Sequence, residues 1–295
     1  MKPIIYDYSS FENISYCLTA KYNCLKTSLI GKSEAGRNIK LFKIGNKREC
    51  VLFVGGMHGN EALTSTLLLL FIEELCQKLN QNTLISGIEF SRVLQNRSLL
   101  FVPLSNPDGC EIALKGENAF FENIQEIKQM CKGDFSSWKA NSRGVDINRN
   151  FRTGWEEAKK ISNQRGIIGP TFGKYGGEYP ESEAETVALV NLCEKLKPRM
   201  LLTLHTQGEV IYYGWQDAIN THKRIAEIFS MLSGYALEEP EEISFGGGFK
   251  DWFVSRFSMP GFTIECGKGT NPLPPSKIMP IYKRLFEMLC IATIL

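Results

Sequence analysis

VLFVGGMHGNEALTSTLLLLFIEELCQKL (51–79) decides the fold. Its first six residues are an apolar, β-rich run stopped by two glycines, the pattern of a buried strand. From about Glu61 to Leu79 the pattern becomes helical, so a strand feeds a helix through a short turn at 57–60. The alternation continues in both directions. IKLFKI (39–44) and VLFVGG (51–56) read as a strand pair with a turn at Asn46–Lys47. SLLFVP (98–103) is another apolar strand, stopped by Pro103 and the turn signal Asn106-Pro107-Asp108-Gly109. Glu181 to Leu196 is helical behind Pro180. MLLTL (200–204), a helix from about Asp217 to Leu232, FTIE (262–265) and a helix from about Ser276 complete the order. Such alternation predicts an α/β fold, one domain over residues 1–295, with a central mixed, mostly parallel sheet flanked by helices. The segment 104–180 is Gly-rich with few clear periods, and reads as long loops on one edge of that core.

Composition narrows the function classes. The chain has 295 residues, 43% hydrophobic and 22% charged, as a globular protein does. Its 34 Lys and Arg against 32 Asp and Glu leave a net charge of +2, too small to argue for a nucleic-acid partner. The longest apolar stretch, around Leu67 to Ile72, is far below the ~18 residues of a membrane span. The N-terminal MKPIIYDYSSFENISY carries no apolar signal region, so a cytoplasmic location is expected. Nine cysteines, odd in number and without a CxxC pair, are expected to be mostly reduced, buried small hydrophobes.

The chain has three histidines, His58, His205 and His222. His58 and Glu61 stand three apart at the strand-to-helix turn, where an imidazole and a carboxylate can converge on one cation. A helix-capping turn with a solvated Glu61 is the plain alternative. His205 follows MLLTL and Glu265 ends GFTIE, and in open α/β sheets ligands collect outside the carboxyl ends of strands. Two histidines and a carboxylate are a known catalytic zinc set with a fourth position for water. Glu265 then suits proton transfer, although an ion-pair or capping role fits the same residue. His222, beside Lys223 and Arg224, reads as a solvated helix residue.

HGNE (58–61), NPDG (106–109), GVDINRNF (144–151), PESEAET (180–186), LHTQGEVIYY (204–213) and GFTIEC (261–266) resemble, in order, the zinc carboxypeptidase family typified by carboxypeptidase A. The pair Asp251-Trp252 lies at the family's spacing before Glu265. The resemblance implies that fold and one zinc per chain on His58, Glu61 and His205, the ligand chemistry already known from carboxypeptidase A. It implies Glu265 as general base and acid, and Asn148 and Arg149 as the holders of a substrate carboxylate, a role the guanidinium fork suits. Two positions depart from the pattern. The family's oxyanion-stabilising arginine falls on Lys139 in WKAN (138–141), leaving that charge to Lys139 or to nearby Arg143. Its mobile tyrosine falls on Ile243, which offers no phenol. Within the family, LHTQGEVIYY, GGGFKDWF (246–253) and GFTIEC are most similar to bacterial γ-D-glutamyl-meso-diaminopimelate peptidases, with no wall-binding repeats alongside. That implies a small muropeptide with a free carboxylate as substrate. Other expectations are a carboxypeptidase of ordinary peptides, a zinc deacylase of N-acyl amino acids and, least of all, a peptide-binding module without chemistry.

Overall fold

The computed structural model describes residues 1–215, 219–238 and 246–295. Its strands are β1 (Leu25–Lys32), β2 (Asn38–Ile44), β3 (Cys50–Val54), β4 (Ser98–Val102), β5 (Met200–His205), β6 (Val210–Tyr213), β7 (Ala236–Leu237) and β8 (Gly261–Glu265). They form one sheet in the order β1-β2-β4-β3-β5-β8-β6-β7. The four middle strands run parallel, while β2 meets β4 and β6 meets β8 antiparallel. β3, β4 and β5 are buried at every residue, as parallel strands covered on both faces must be.

Helices cover both faces. Phe53, Leu202 and Ile264 point into a cluster with Leu68 of α2 (Leu63–Gln81), Phe229 of α8 (Ile219–Ser233) and Leu285 of α10 (Ile278–Ala292). Leu52, Val54 and Leu201 point the other way, toward Leu189 of α7 (Ala184–Leu196) and Phe253 of α9 (Phe249–Phe257). None of the described helices is long and apolar enough to cross a membrane. Seven of the nine cysteines are buried and all nine are free thiols.

Two sequence expectations are corrected. The runs 39–44 and 51–56 are both strands, but β4 lies between them. A short connection favours pairing of neighbours, yet β3 is apolar on both faces and takes a parallel partner on each side. The segment 104–180 is not merely looped. It holds α4 (Pro107–Lys115), α5 (Ile124–Met130) and α6 (Trp155–Gln164). Asn106 caps α4, its side chain accepting from the Gly109 N–H, with Pro107 at the first helical position, so the apparent turn is a helix start. The three helices are too short to show a period, and a small core of Ile112, Phe121, Ile127 and Trp138 fixes the segment. His222 is also corrected. It is 1% exposed, not solvated, on the inner face of an amphipathic helix. Ile243 lies outside the described residues.

Candidate active site

Because β3, β5 and β8 run parallel, their carboxyl ends share one edge of the sheet. His205 and Glu265 end β5 and β8 as register partners, and their side chains therefore stand on the same face. His58 and Glu61 arrive in the turn after β3. That turn is held by close packing: a Cβ on Gly59 would sit 2.3 Å from the Gly109 carbonyl, and one on Gly109 2.3 Å from that of Ala140. The glycines of HGNE and NPDG thus let three backbone segments meet behind the site.

The three side chains converge. His58 Nδ1 is 3.0 Å from Glu61 Oε1, His205 Nδ1 is 3.0 Å from Glu61 Oε2, and the two Nδ1 atoms are 3.3 Å apart. Zinc–ligand bonds of about 2.0–2.2 Å at tetrahedral angles place donors roughly 3.3 Å from one another. Two imidazole lone pairs and a carboxylate at these separations in buried surroundings fit a divalent ion. Burial opposes charge on His58, but Glu61 and Asp146 outweigh it and raise its pKa to about 9. Burial pulls His205 below the usual histidine value. Glu61 is held well below the ordinary carboxylate range: burial opposes this, and the cations of His58 and Lys139 prevail.

A second ring of contacts aims these groups. His58 Nε2 is 3.1 Å from Asp146 Oδ1, the carboxylate partner expected behind a metal-binding imidazole. Asp146 also accepts from the backbone N–H groups of Asn148 and Lys174. The Thr206 N–H donates to Glu61 Oε2, and Asn271 Nδ2 lies 3.5 Å from Oε1. Sequence reasoning assigned no role to Asp146 or Asn271. A histidine in a metal site calls for a carboxylate behind it, but the chain's many acids gave no means of choosing which.

Glu265 lines a cavity of about 620 Å³ together with His58, Glu61, Lys139, Asn148 and Arg149. Burial and then the Glu61 carboxylate push Glu265 up to about 8. A bound dication would pull that value down again. Lys139 Nζ is 3.0 Å from Glu61 Oε1, so the lysine does reach the site. Asn148 and Arg149 occupy a 3₁₀ turn, Ile147–Arg149, capped by Asp146. The Asn148 side-chain oxygen accepts from the Phe249 N–H and ties the turn to the start of α9.

Arg143 is not brought here, which corrects the expectation that it shares the substrate site. It is half exposed and lies 3.8 Å from Glu34 and 3.9 Å from Glu183, in a separate cavity. The cause is the turn at 141–145, where Asn141 Oδ1 accepts from the Arg143 and Val145 N–H groups and aims the arginine at an acidic cluster.

That cluster carries a prediction. Burial and then Asp108 raise the Glu185 carboxyl to about 8, so the folded chain holds a proton that the unfolded chain releases near pH 4.5. Stability is therefore full below about 4.5 and is lost as pH rises toward 8, by at most roughly 1.4 kcal/mol per unit. Glu185→Gln mimics the protonated form. Its melting temperature relative to the wild type is expected to climb between pH 5 and pH 8; parallel melting curves would contradict this.

The fold and site define a metal-dependent hydrolase built at the strand ends of an α/β sheet. A family model described as zinc carboxypeptidase matches residues 14–288, and the chain belongs to that family. It is a zinc metallopeptidase. Gamma-D-glutamyl-L-diamino acid endopeptidase 1 of Lysinibacillus sphaericus is 34% identical over 281 residues, spanning 94% of this chain and 69% of that protein. Among solved structures, bovine thrombin-activatable fibrinolysis inhibitor with a tick carboxypeptidase inhibitor matches with a TM-score of 0.75 at 17% identity, over 99% of this chain and 96% of that one. Murein-tripeptide amidase MpaA from Escherichia coli O157 matches with a TM-score of 0.56 at 22% identity, over 90% and 91%. At these identities the two structures speak for the fold.

Proposed function

We propose that the chain hydrolyses a peptide bond in bacterial cell-wall peptides, between γ-D-glutamate and meso-diaminopimelate, with zinc held by His58, Glu61 and His205. The observation that carries this is the convergence of a His₂Glu donor set at a cavity lined by two of its members, His58 and Glu61, by the carboxylate of Glu265 and by the cations Lys139, Arg149, Lys174 and Lys250. A muropeptide brings several carboxylates to such a cleft. The identity along almost the whole chain with a protein named for that γ-D-glutamyl-diamino acid chemistry supports the substrate.

Bound zinc supplies Lewis acidity, which lowers the pKa of an attacking water to about 7 and polarises the scissile carbonyl. Glu265 accepts the water's proton and returns it to the leaving amine. Asn148 and Arg149 hold the carboxylate of the residue beyond the cut bond and so set which bond lies over the site. Lys139 places a positive charge beside Glu61, where negative charge develops on the carbonyl oxygen. As a point charge it lacks the fork of an arginine.

Arg149→Ala is expected to lower kcat/KM by roughly 10–10²-fold on substrates with a free carboxylate, the scale of one charge-assisted contact, and far less on amidated ones. Equal losses on both would remove the anchoring role. The substrate is tested by incubating zinc-loaded protein with L-Ala-γ-D-Glu-meso-diaminopimelate and with a conventional C-terminal peptide, then identifying products by mass. Release of diaminopimelate supports the reading. Cleavage of the conventional peptide alone would establish an ordinary carboxypeptidase instead.

A further inference from the structure

A basic pocket of about 210 Å³ lies where β2, β3 and β4 meet the end of α7, with Cys50, Leu100 and Leu196 in its lining. Cys50 begins β3, and the other end of that strand leads to the His58 turn. The pocket and the metal site are thus separated by about the length of β3, roughly 13 Å at 3.3 Å per residue. Lys43, Lys47, Arg48 and Lys195 also line the pocket. Among the described residues, none of these four side chains makes an ion pair or a hydrogen bond. Lys43 is built in. Strand alternation puts it on the face of β2 that carries Leu41 toward α7, and its register partner on β4 is the buried Leu100. It is therefore a half-buried cation at a position surrounded by apolar side chains. On its other side its register partner is Lys26 of β1, and like charges directly opposite on paired strands repel. Neighbouring acids are committed elsewhere: Glu49 pairs with Arg97 at 3.3 Å and with Arg199 at 2.5 Å, and Glu194 pairs with Arg256 at 2.6 Å. Burial pushes the Cys50 thiol up to about 11, so it stays neutral. The C-terminal end of α7 offers only about half a negative charge, with Lys195 already in its last turn.

We propose that this pocket binds a dianionic phosphate group, either free phosphate or the phosphate of an organic ester. The site is independent of the peptidase chemistry at the other end of the sheet. Four unpaired cations around one concavity repel one another, and the half-buried Lys43 ammonium gives up part of its hydration for no partner. An entering anion offsets both costs. A carboxylate brings a single charge and leaves most of this field uncompensated, whereas a phosphate brings close to two. Its tetrahedral oxygens also point in several directions at once. That suits donors arriving from β2 at Lys43, from the exposed turn before β3 at Lys47 and Arg48, and from α7 at Lys195. The guanidinium of Arg48 can hold two oxygens together, and the lysines serve as point charges.

The test titrates the zinc-loaded chain by calorimetry at pH 8 and constant ionic strength with inorganic phosphate, with glycerol 3-phosphate and, as the singly charged control, with acetate. The wild type is expected to bind phosphate at one site per chain and acetate far more weakly. Lys43→Met and Arg48→Met are each expected to weaken phosphate by roughly 10–10²-fold, the scale of one charge-assisted contact. Arg149→Ala, in the zinc cleft, is expected to leave that affinity unchanged. Phosphate should also raise the melting temperature of the wild type and not that of the two pocket variants. Tighter binding of glycerol 3-phosphate than of phosphate assigns the pocket to an organic ester, and the reverse assigns it to the free anion; either outcome supports the site. Binding of neither anion, or of acetate as tightly as phosphate, would overturn the proposal. So would binding that survives both pocket variants and disappears in Arg149→Ala, since the anion would then sit in the zinc cleft. Should Lys43→Met fail to fold, Arg48→Met, at an exposed turn position, decides.

Discussion

Alanine at His58 or at His205 is expected to abolish zinc binding. The wild type should carry about one zinc per chain after dialysis, and either variant almost none, measured by elemental analysis. Each substitution removes one of three protein donors, and two donors at this geometry leave most of the coordination to water. Either change also leaves Glu61 buried at 2% exposure with one fewer partner. The loss should therefore appear in the thermal melt, as a melting temperature that zinc no longer raises. Because His58 is oriented by Asp146, Asp146→Asn is expected to weaken zinc by about 10–10²-fold without abolishing it. Stoichiometric zinc in both alanine variants would dismiss the site.

Glu265→Gln separates binding from chemistry. The glutamine is isosteric and lies at the end of β8, outside the His58–Glu61–His205 group, so zinc content is expected to stay near one per chain. Turnover is expected to fall by roughly 10²–10⁴-fold, the range in which a positioned general base and acid contributes. The raised pKa of this carboxyl has a clear origin in burial and in the Glu61 charge nearby. A dication held by His58, Glu61 and His205 would neutralise part of that charge and so favour the ionised form of Glu265 required of a base. Turnover close to wild type in the zinc-loaded variant would end the proposed role.

Much of this was legible before any coordinates. The apolar runs at 51–56 and 98–103 read as buried strands, and the helical stretch after His58 follows from its pattern. Ordered motifs placed His58, Glu61, His205, Glu265, Asn148 and Arg149 on their elements, because strand ends and tight turns are written locally. Glycine and asparagine announce them wherever backbones meet closely, as at Gly59 and Gly109.

What the sequence could not decide was which distant groups face one another. Strand order is one such case: β4 separates β2 from β3, although nothing near residues 46–47 reveals it. The aim of Arg143 and Lys139 is another. They stand four residues apart in one segment, yet one turns to Glu34 and Glu183 and the other to Glu61. The same holds for Asp146 behind His58 and for the buried Lys250–Asp251 pair. Local patterning follows from covalent spacing and backbone geometry, which a string of residues encodes directly. Electrostatic partnership depends on three-dimensional distance and on exclusion of water, and both exist only once the chain has packed.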